Sequence, residues 1–406
     1  MLFSRIFWVC VASILLADSV CAQSAPSVVS TPQQLNTVEK MKTKQIRDYW
    51  TPDRMKNAKD RELLRTSPSN SSSSNLLNFN LNDGPGYIRG WAPKSGVVPP
   101  KSGSNAIQLK SRGIPLASPS EVTSFGSAPA NPLDYANYGP FQRWTWYGNY
   151  LSFPTSTIGK MFFTQDGLDY VCSGTVIGQN TIITAGHCVK NGSGSWSTNV
   201  LFCPSYYALG VNTVGCWAWT GFASTSSYWA VSNNLDGDYA CFVTNTTGSA
   251  VAGSIGVTTG WLGLAWNWPS NQMEFATGYP QASPFNGTNI IFTAATEWYQ
   301  IANSKFIGDD QTGGTSGGSW WLNIAHKAKE YADADGSNIT DPGQNMGVPA
   351  VNGVNSHRRC LVNCNTPPTS SNGQFWSEMA SPVFYSSGSD AADTIDVMNS
   401  CFNNGG

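Results

Sequence analysis

Charge is scarce in this chain. Only 12% of its 406 residues are Asp, Glu, Lys or Arg, and it holds just three histidines. So little charge beside 16 Trp, 15 Tyr, 18 Phe and 40 Gly excludes a disordered or solvating chain and favours a compact, β-rich one. Long apolar runs are missing as well. The longest, Ile6 to Leu16, is too short to span a bilayer, so no transmembrane segment and no membrane partner are expected. Paired CxxC motifs are absent, which argues against structural zinc. Helical periodicity is weak after about Tyr138, where short β-like runs are punctuated by Gly, Asn and Ser.

The ends and the charge pattern suggest organisation. Met1–Arg5, the apolar run and Val20-Cys21-Ala22 read as a secretory signal over residues 1–22, so the protein is expected to be secreted and extracellular. Residues 1–112 carry 15 Lys+Arg against 7 Asp+Glu, a charge of +8, and residues 113–406 carry 8 against 18, a charge of −10. A basic front end and an acidic remainder are what an intramolecular inhibitor or folding assistant would use; unrelated compositions in separable segments is the plainer alternative. The acidic remainder excludes nucleic acid as the expected partner.

In the front segment, Thr31-Pro32-Gln33-Gln34 reads as a helix start with Leu35, Val38, Ile46 and Tyr49 at helical spacing. Thr51-Pro52 restarts the pattern, placing Met55, Leu63 and Leu64 on a second basic helix. Residues 67–75 form a Ser/Asn/Pro linker, and residues 76–135 show no clear period. Eight cysteines lie beyond the signal: Cys172, Cys188, Cys203, Cys216, Cys241, Cys360, Cys364 and Cys401. An even set in an exported chain reads as disulfides. Sequons at Asn70, Asn191, Asn245, Asn286 and Asn338 mark glycosylation sites if the secretory pathway is eukaryotic.

Three motifs carry chemistry. Thr184-Ala185-Gly186-His187-Cys188 delivers an imidazole at the end of a β-branched run, the setting of a general base. Asp238 opens the run Tyr239-Ala240-Cys241-Phe242-Val243 and is suited to orient that imidazole. Gly313-Gly314-Thr315-Ser316-Gly317-Gly318 places a serine in a glycine-rich turn, with the N–H groups of Gly314 and Ser316 as oxyanion donors. Each of the last two alone is ordinarily a turn or a solvated acid; the combination in the order His, Asp, Ser is informative.

On these motifs, with Ile158–Phe163, Tyr170–Thr175 and Gly278-Tyr279-Pro280, the chain from about Tyr138 resembles the chymotrypsin/trypsin-like serine peptidases, in particular their secreted glutamyl-endopeptidase-like branch. The resemblance implies an all-β fold of two six-stranded barrels with the site between them. It also implies a His187–Asp238–Ser316 triad, a Cys172–Cys188 disulfide, and a pocket strand ending in Asn355, Ser356 and His357. Residues 23–135 would then be a propeptide, with Arg112-Gly113 as an alternative cut, and residues 136–406 the peptidase. No cofactor or metal is implied. The partners are polypeptide substrates and the chain's own propeptide, and a monomer is expected. Thr315 stands where trypsin carries the acid that pairs with its new N-terminus, so that switch is not available through this residue. Cys360–Cys364 is a guess for a small loop. Residues 333–341 read as a solvated acidic loop rather than a calcium site.

Two rivals remain open at this level. An α/β-hydrolase esterase also has G-x-S-x-G, here Gly314–Gly318, but needs its histidine after the serine, at His326 or His357. A catalytically silent homologue acting as a binding protein is the other.

Overall fold

The computed structural model describes residues 28–32, 43–66, 86–93, 106–108, 141–207, 214–268, 272–322, 349–360, 378–386 and 393–405. The helix start at Thr31–Gln34, the acidic loop at 333–341, His326, Cys364, the 67–75 linker, the signal and the Arg112-Gly113 cut lie wholly or partly outside these residues.

The front of the chain contributes β1 (Val28–Ser30), α1 (Thr43–Tyr49), α2 (Pro52–Asn57), β2 (Lys59–Asp60), β3 (Leu64–Thr66), β4 (Gly86–Ile88), β5 (Ala106–Gln108) and β6 (Phe141–Thr145). Helix α2 begins as its sequence demands. The Thr51 hydroxyl accepts from Arg54 N, and Pro52 occupies a first-turn position where no N–H is needed. It stops earlier than expected: Ala58 is extended, and Leu63 and Leu64 lie beyond the helix, Leu64 opening β3. The expectation of a second helix through Leu64 is therefore corrected. This stretch finds strand partners elsewhere in the protein, and tertiary pairing overrides a short helical pattern.

The next elements are β7 (Ile158–Gln165), β8 (Leu168–Val176), β9 (Thr181–Thr184), α3 (Gly186–Val189), β10 (Thr198–Pro204), β11 (Trp217–Ser226), α4 (Ser227–Ser232) and β12 (Ala240–Thr244). Asp166 and Gly167, with φ of 51° and 80°, make the two-residue turn between β7 and β8. Positive φ at both positions matches the twist of a tight hairpin. The strands close in the cycle β10-β7-β8-β9-β12-β11, a six-stranded antiparallel barrel. Phe162, Phe202, Phe242, Ile182 and Val200 are fully buried. Gly159 has no room for a side chain because the Phe202 ring lies over it. Strand β1 is added to the outside of β11.

The second unit contains β13 (Gly263–Trp266), β14 (Met273–Gly278), β15 (Ile291–Ile301), β16 (Ser304–Gly308), β17 (Ser319–Leu322), β18 (Ala350–Val354), β19 (Arg358–Cys360) and β20 (Glu378–Pro382); α5 (Ile255–Thr259) leads into it beside β8, and α6 (Thr394–Gly405) returns to pack on β11, β12 and β9 of the first barrel. Its sheet runs β20-β16-β15-β14-β17-β18. It is rolled so that Ser356 N donates to Ala380 O and Ala380 N to His357 O, both at 2.9 Å. Those bonds link the end of β18 to β20 and bring the two sheet edges together. Strands β13, β4 and β5 extend the sheet beyond β18, and β6 pairs with β15, where Trp144 stacks on Phe292. The aromatic cluster around Trp144 thus serves packing.

Among the described residues three disulfides are formed, Cys172–Cys188, Cys203–Cys216 and Cys241–Cys401. The last ties α6 to β12 of the first barrel across 160 residues of chain. Closing a loop of that length removes unfolded-state entropy worth up to about 5 kcal/mol in the chain-entropy picture. Replacing Cys241 and Cys401 together by Ala is expected to lower the urea midpoint of unfolding by more than replacing Cys203 and Cys216, whose loop spans 13 residues. Equal shifts would show that loop length does not govern the contribution.

Candidate active site

His187 sits in the one-turn helix α3, which β9 leads into through Ala185. The turn is held from several sides. Gly186 admits no side chain because Trp229 and the Thr225 hydroxyl crowd its Cα, and the Cys172–Cys188 disulfide fixes the next residue to β8. Trp229 packs edge-on against the imidazole at 6.2 Å and donates Nε1–H to Lys190 O at 2.9 Å.

Asp238 follows a short 3-10 turn, Leu235–Gly237, and opens toward the imidazole. Its Oδ2 lies 2.8 Å from His187 Nδ1, while its Oδ1 accepts the His187 backbone N–H at 2.7 Å. Ser356 Oγ also donates to Oδ2, at 2.6 Å. Asp238 and His187 are both fully buried. A buried carboxylate needs such saturation, because an unpaired one costs several kcal/mol. Asp236, two residues earlier, instead accepts from Ser304 Oγ of β16 at 2.7 Å.

The serine turn is anchored through its carbonyls. Gly313 O accepts from Gln281 N at 2.7 Å and from Ala282 N at 3.1 Å. Thr315 O accepts from Gly318 N at 2.8 Å and Asn355 Nδ2 at 3.3 Å. In a trans peptide the C=O and the following N–H point in opposite directions. These anchors therefore aim Gly314 N–H and Ser316 N–H away from the turn's supports. Gly314 and Gly317 take φ of +97° and +80°, which other residues adopt only with strain. Ser173 Oγ ties the same turn to the first barrel, donating to Gly314 O at 2.9 Å and accepting Tyr279 N–H at 2.8 Å.

Of the three residues expected at the pocket strand, Asn355 is committed to the serine turn. Its amide nitrogen donates to Thr277 O (3.0 Å) and Thr315 Oγ1 (2.9 Å), and its oxygen accepts Trp320 Nε1–H (2.6 Å). Ser356 serves Asp238. His357 is buried, with Nδ1 2.9 Å from Ser356 Oγ and its ring edge-on to Phe306. Thr315, in place of an acid, donates to Gln311 Oε1 at 2.6 Å. The bracing by Ser173 and Ser356 had no signal in the sequence, since each serine acts through a long-range contact.

Behind the turn lies Lys160 of β7, buried, with Nζ donating to Gln281 Oε1 at 2.8 Å and Gly287 O at 2.9 Å. No carboxylate is among these partners, and burial pushes its ammonium pKa down to about 7. The proximity of Cys172, Cys188 and His187 would suit a metal, but the two sulfurs are joined in the disulfide.

Residues 152–205 match the Trypsin family model. The chain is similar to the solved protease Anisep from Arthrobacter nicotinovorans, at 28% identity over 57% of this chain and 91% of that one, with a TM-score of 0.45. It is also similar to the thermostable serine protease AL20 from an extremophilic microorganism, at 26% identity over 61% and 96%, with a TM-score of 0.44. The "extracellular metalloprotease" of Bacillus subtilis (strain 168) is 29% identical over 114 residues, 27% of this chain and 34% of that protein, so the match spans about a third of that relative. The matched residues 152–205 hold β7 to β10 and His187, so the likeness to the Trypsin family lies in the closed six-stranded barrel, which stands beside a second, rolled sheet.

Lys160 generates a pH expectation. The unfolded chain holds this proton up to about pH 10.5 and the folded chain only up to about 7. The unfolded state therefore binds more protons between those values, and stability should rise with pH across the window. The rise amounts to as much as about 3 kcal/mol between pH 7 and 9.5. Urea unfolding of wild type and Lys160→Met at both pH values checks this; the variant should lose the slope.

Proposed function

We propose that the protein is a secreted serine endopeptidase, made as a proenzyme, that cleaves polypeptides through an acyl-enzyme on Ser316. The observation that carries the reading is the buried His187–Asp238 pair, with Nδ1 at 2.8 Å from a carboxylate whose two oxygens are both engaged. A carboxylate so held accepts the Nδ1 proton of neutral histidine, which leaves Nε2 as the base. In the reaction, Ser316 Oγ forms a bond to the substrate carbonyl carbon as its proton passes to His187 Nε2. Asp238 stabilises the imidazolium. Gly314 N–H and Ser316 N–H receive the oxyanion. The imidazolium then protonates the leaving amine as the C–N bond breaks, and water repeats the sequence on the acyl-enzyme. The order of residues, with the histidine upstream of the serine, supports this reading over the esterase one, and His357 packs against Phe306 instead.

Fluorophosphonate labelling of the secreted, processed protein, located by peptide mass, tests the assignment. Label on Ser316 that disappears in His187→Ala and falls in Asp238→Ala is the expected result. Peptidase turnover in Ser316→Ala should drop about a millionfold. Residual activity within tenfold of wild type would sink the proposal, and absence of label on correctly processed protein would favour a binding protein.

A further inference from the structure

The segment 58–66 lies across the site. Gln281 Nε2, beside the serine turn, donates to Ala58 O at 2.7 Å. Strand β2 pairs in parallel with Tyr170 and Val171 of β8, and Arg61 N donates to Val171 O at 3.2 Å. Asp60 closes over Gly313, where a side chain on the glycine would strike its carboxylate. Ser316 Oγ then donates to Arg61 O at 2.7 Å. On the far side, Arg358 N donates to Leu63 O at 3.1 Å, and β3 pairs in parallel with β19. Side chains lock this path. Arg61 Nε reaches Gln165 Oε1 at 3.1 Å and its Nη2 reaches Asn191 Oδ1 at 3.0 Å. Glu62 Oε1 meets Arg358 Nη1 at 3.1 Å, with side chains only 13% and 7% exposed.

The contact at Ser316 is non-productive in a specific way. For acyl transfer the hydroxyl proton must face His187 Nε2 while an oxygen lone pair approaches the carbonyl carbon. Here the hydroxyl spends its proton on the carbonyl oxygen, and His187 Nε2 has no hydrogen-bond partner among the described residues. Everything else at the site is already in place. The His187–Asp238 pair is formed, and the serine turn is braced by Gln281, Asn355 and Ser173 with Thr315 bonded to Gln311. A hollow of about 590 Å³ is lined by Arg61, Leu63 and Leu64 together with Trp229, whose ring packs against the His187 imidazole.

We propose that residues 58–66 are a built-in inhibitor that holds an otherwise assembled site in a non-productive state, with the Arg61 carbonyl capping Ser316 and Glu62 docked on Arg358 as its anchor. This rests on the peptidase reading above. Tethering gives the segment an effective concentration of about millimolar, so a modest intrinsic affinity suffices in the intact chain.

The test compares fluorophosphonate labelling rates of the intact secreted chain and of the form cleaved after residue 66. The intact wild type should label at least about a hundredfold more slowly than the cleaved form, and intact Glu62→Ala about tenfold faster than intact wild type, as loss of a charge-assisted contact implies. Lys44→Ala, which removes an exposed pair with Asp48 on α1, should leave the intact rate unchanged. Should Glu62→Ala fail to fold, a synthetic 58–66 peptide added to the cleaved form gives the second measurement. It should slow labelling competitively, and its Glu62→Ala version should need about tenfold more. Equal labelling of intact and cleaved wild type, or no effect of the peptide at millimolar concentration, would overturn the inhibitor while leaving the peptidase standing. Failure of both forms to label would remove the peptidase reading and the inhibitor with it.

Discussion

The interaction on which the site depends is a carboxylate out of reach of water. Asp238 is fully buried, and the protein supplies the His187 imidazole, the His187 backbone N–H and the Ser356 hydroxyl in place of solvent. Two of these come from the first barrel and the third from the strand end at the rim of the second. A group that costs several kcal/mol to leave unpaired in the interior therefore binds the two barrels to one relative position. Asp236 does the same two residues earlier by accepting from Ser304. The geometry of the His187–Asp238 pair and the cohesion of the barrels have a common cause.

The serine turn follows the same economy with neutral groups. Its carbonyls are held from behind by Gln281, Gly318, Asn355 and Ser173, and the planar peptide translates each hold into a direction for the next N–H. Preorganisation of this kind is what an oxyanion requires, because donors that must reorient during reaction return much of their benefit. Lys160 supports the turn indirectly, through Gln281 and Gly287, at the cost of a buried amine. A turn braced in this manner does not depend on an acid at Thr315. Under the proposed reading, regulation then falls to whatever covers the site rather than to its assembly.

The front segment connects these features. Tyr49 and Arg54 meet Asp169 on β8, and Trp50 packs on Phe162 and donates to Asn199 O. Basic and aromatic groups of this segment thereby grip the first barrel before the chain crosses to the second. The charge asymmetry read along the sequence has a local counterpart in these contacts, though the aromatic packing involves no charge. Asn245, a sequon residue, uses its amide nitrogen in bonds to Thr43 Oγ1, Ala218 O and Trp219 O, so a glycan there would displace part of that grip.

Sequence alone determined what depends on residue type and short spacing. The small turn around His187, the glycines needed for positive φ beside Ser316, the Asp-Gly hairpin chemistry and the all-β character are local consequences of backbone sterics and side-chain shape. The disulfide beside the histidine followed from the family resemblance. Tertiary structure decided whatever required distant segments to meet. It turned Asn355 from a pocket residue into a brace and gave Ser356 to Asp238. It also drew residues 59–66 out of a helical pattern into strands across the cleft. Helical spacing in so short a segment is worth a few tenths of a kcal/mol per residue, less than the backbone bonds and the buried Glu62–Arg358 pair that replace it.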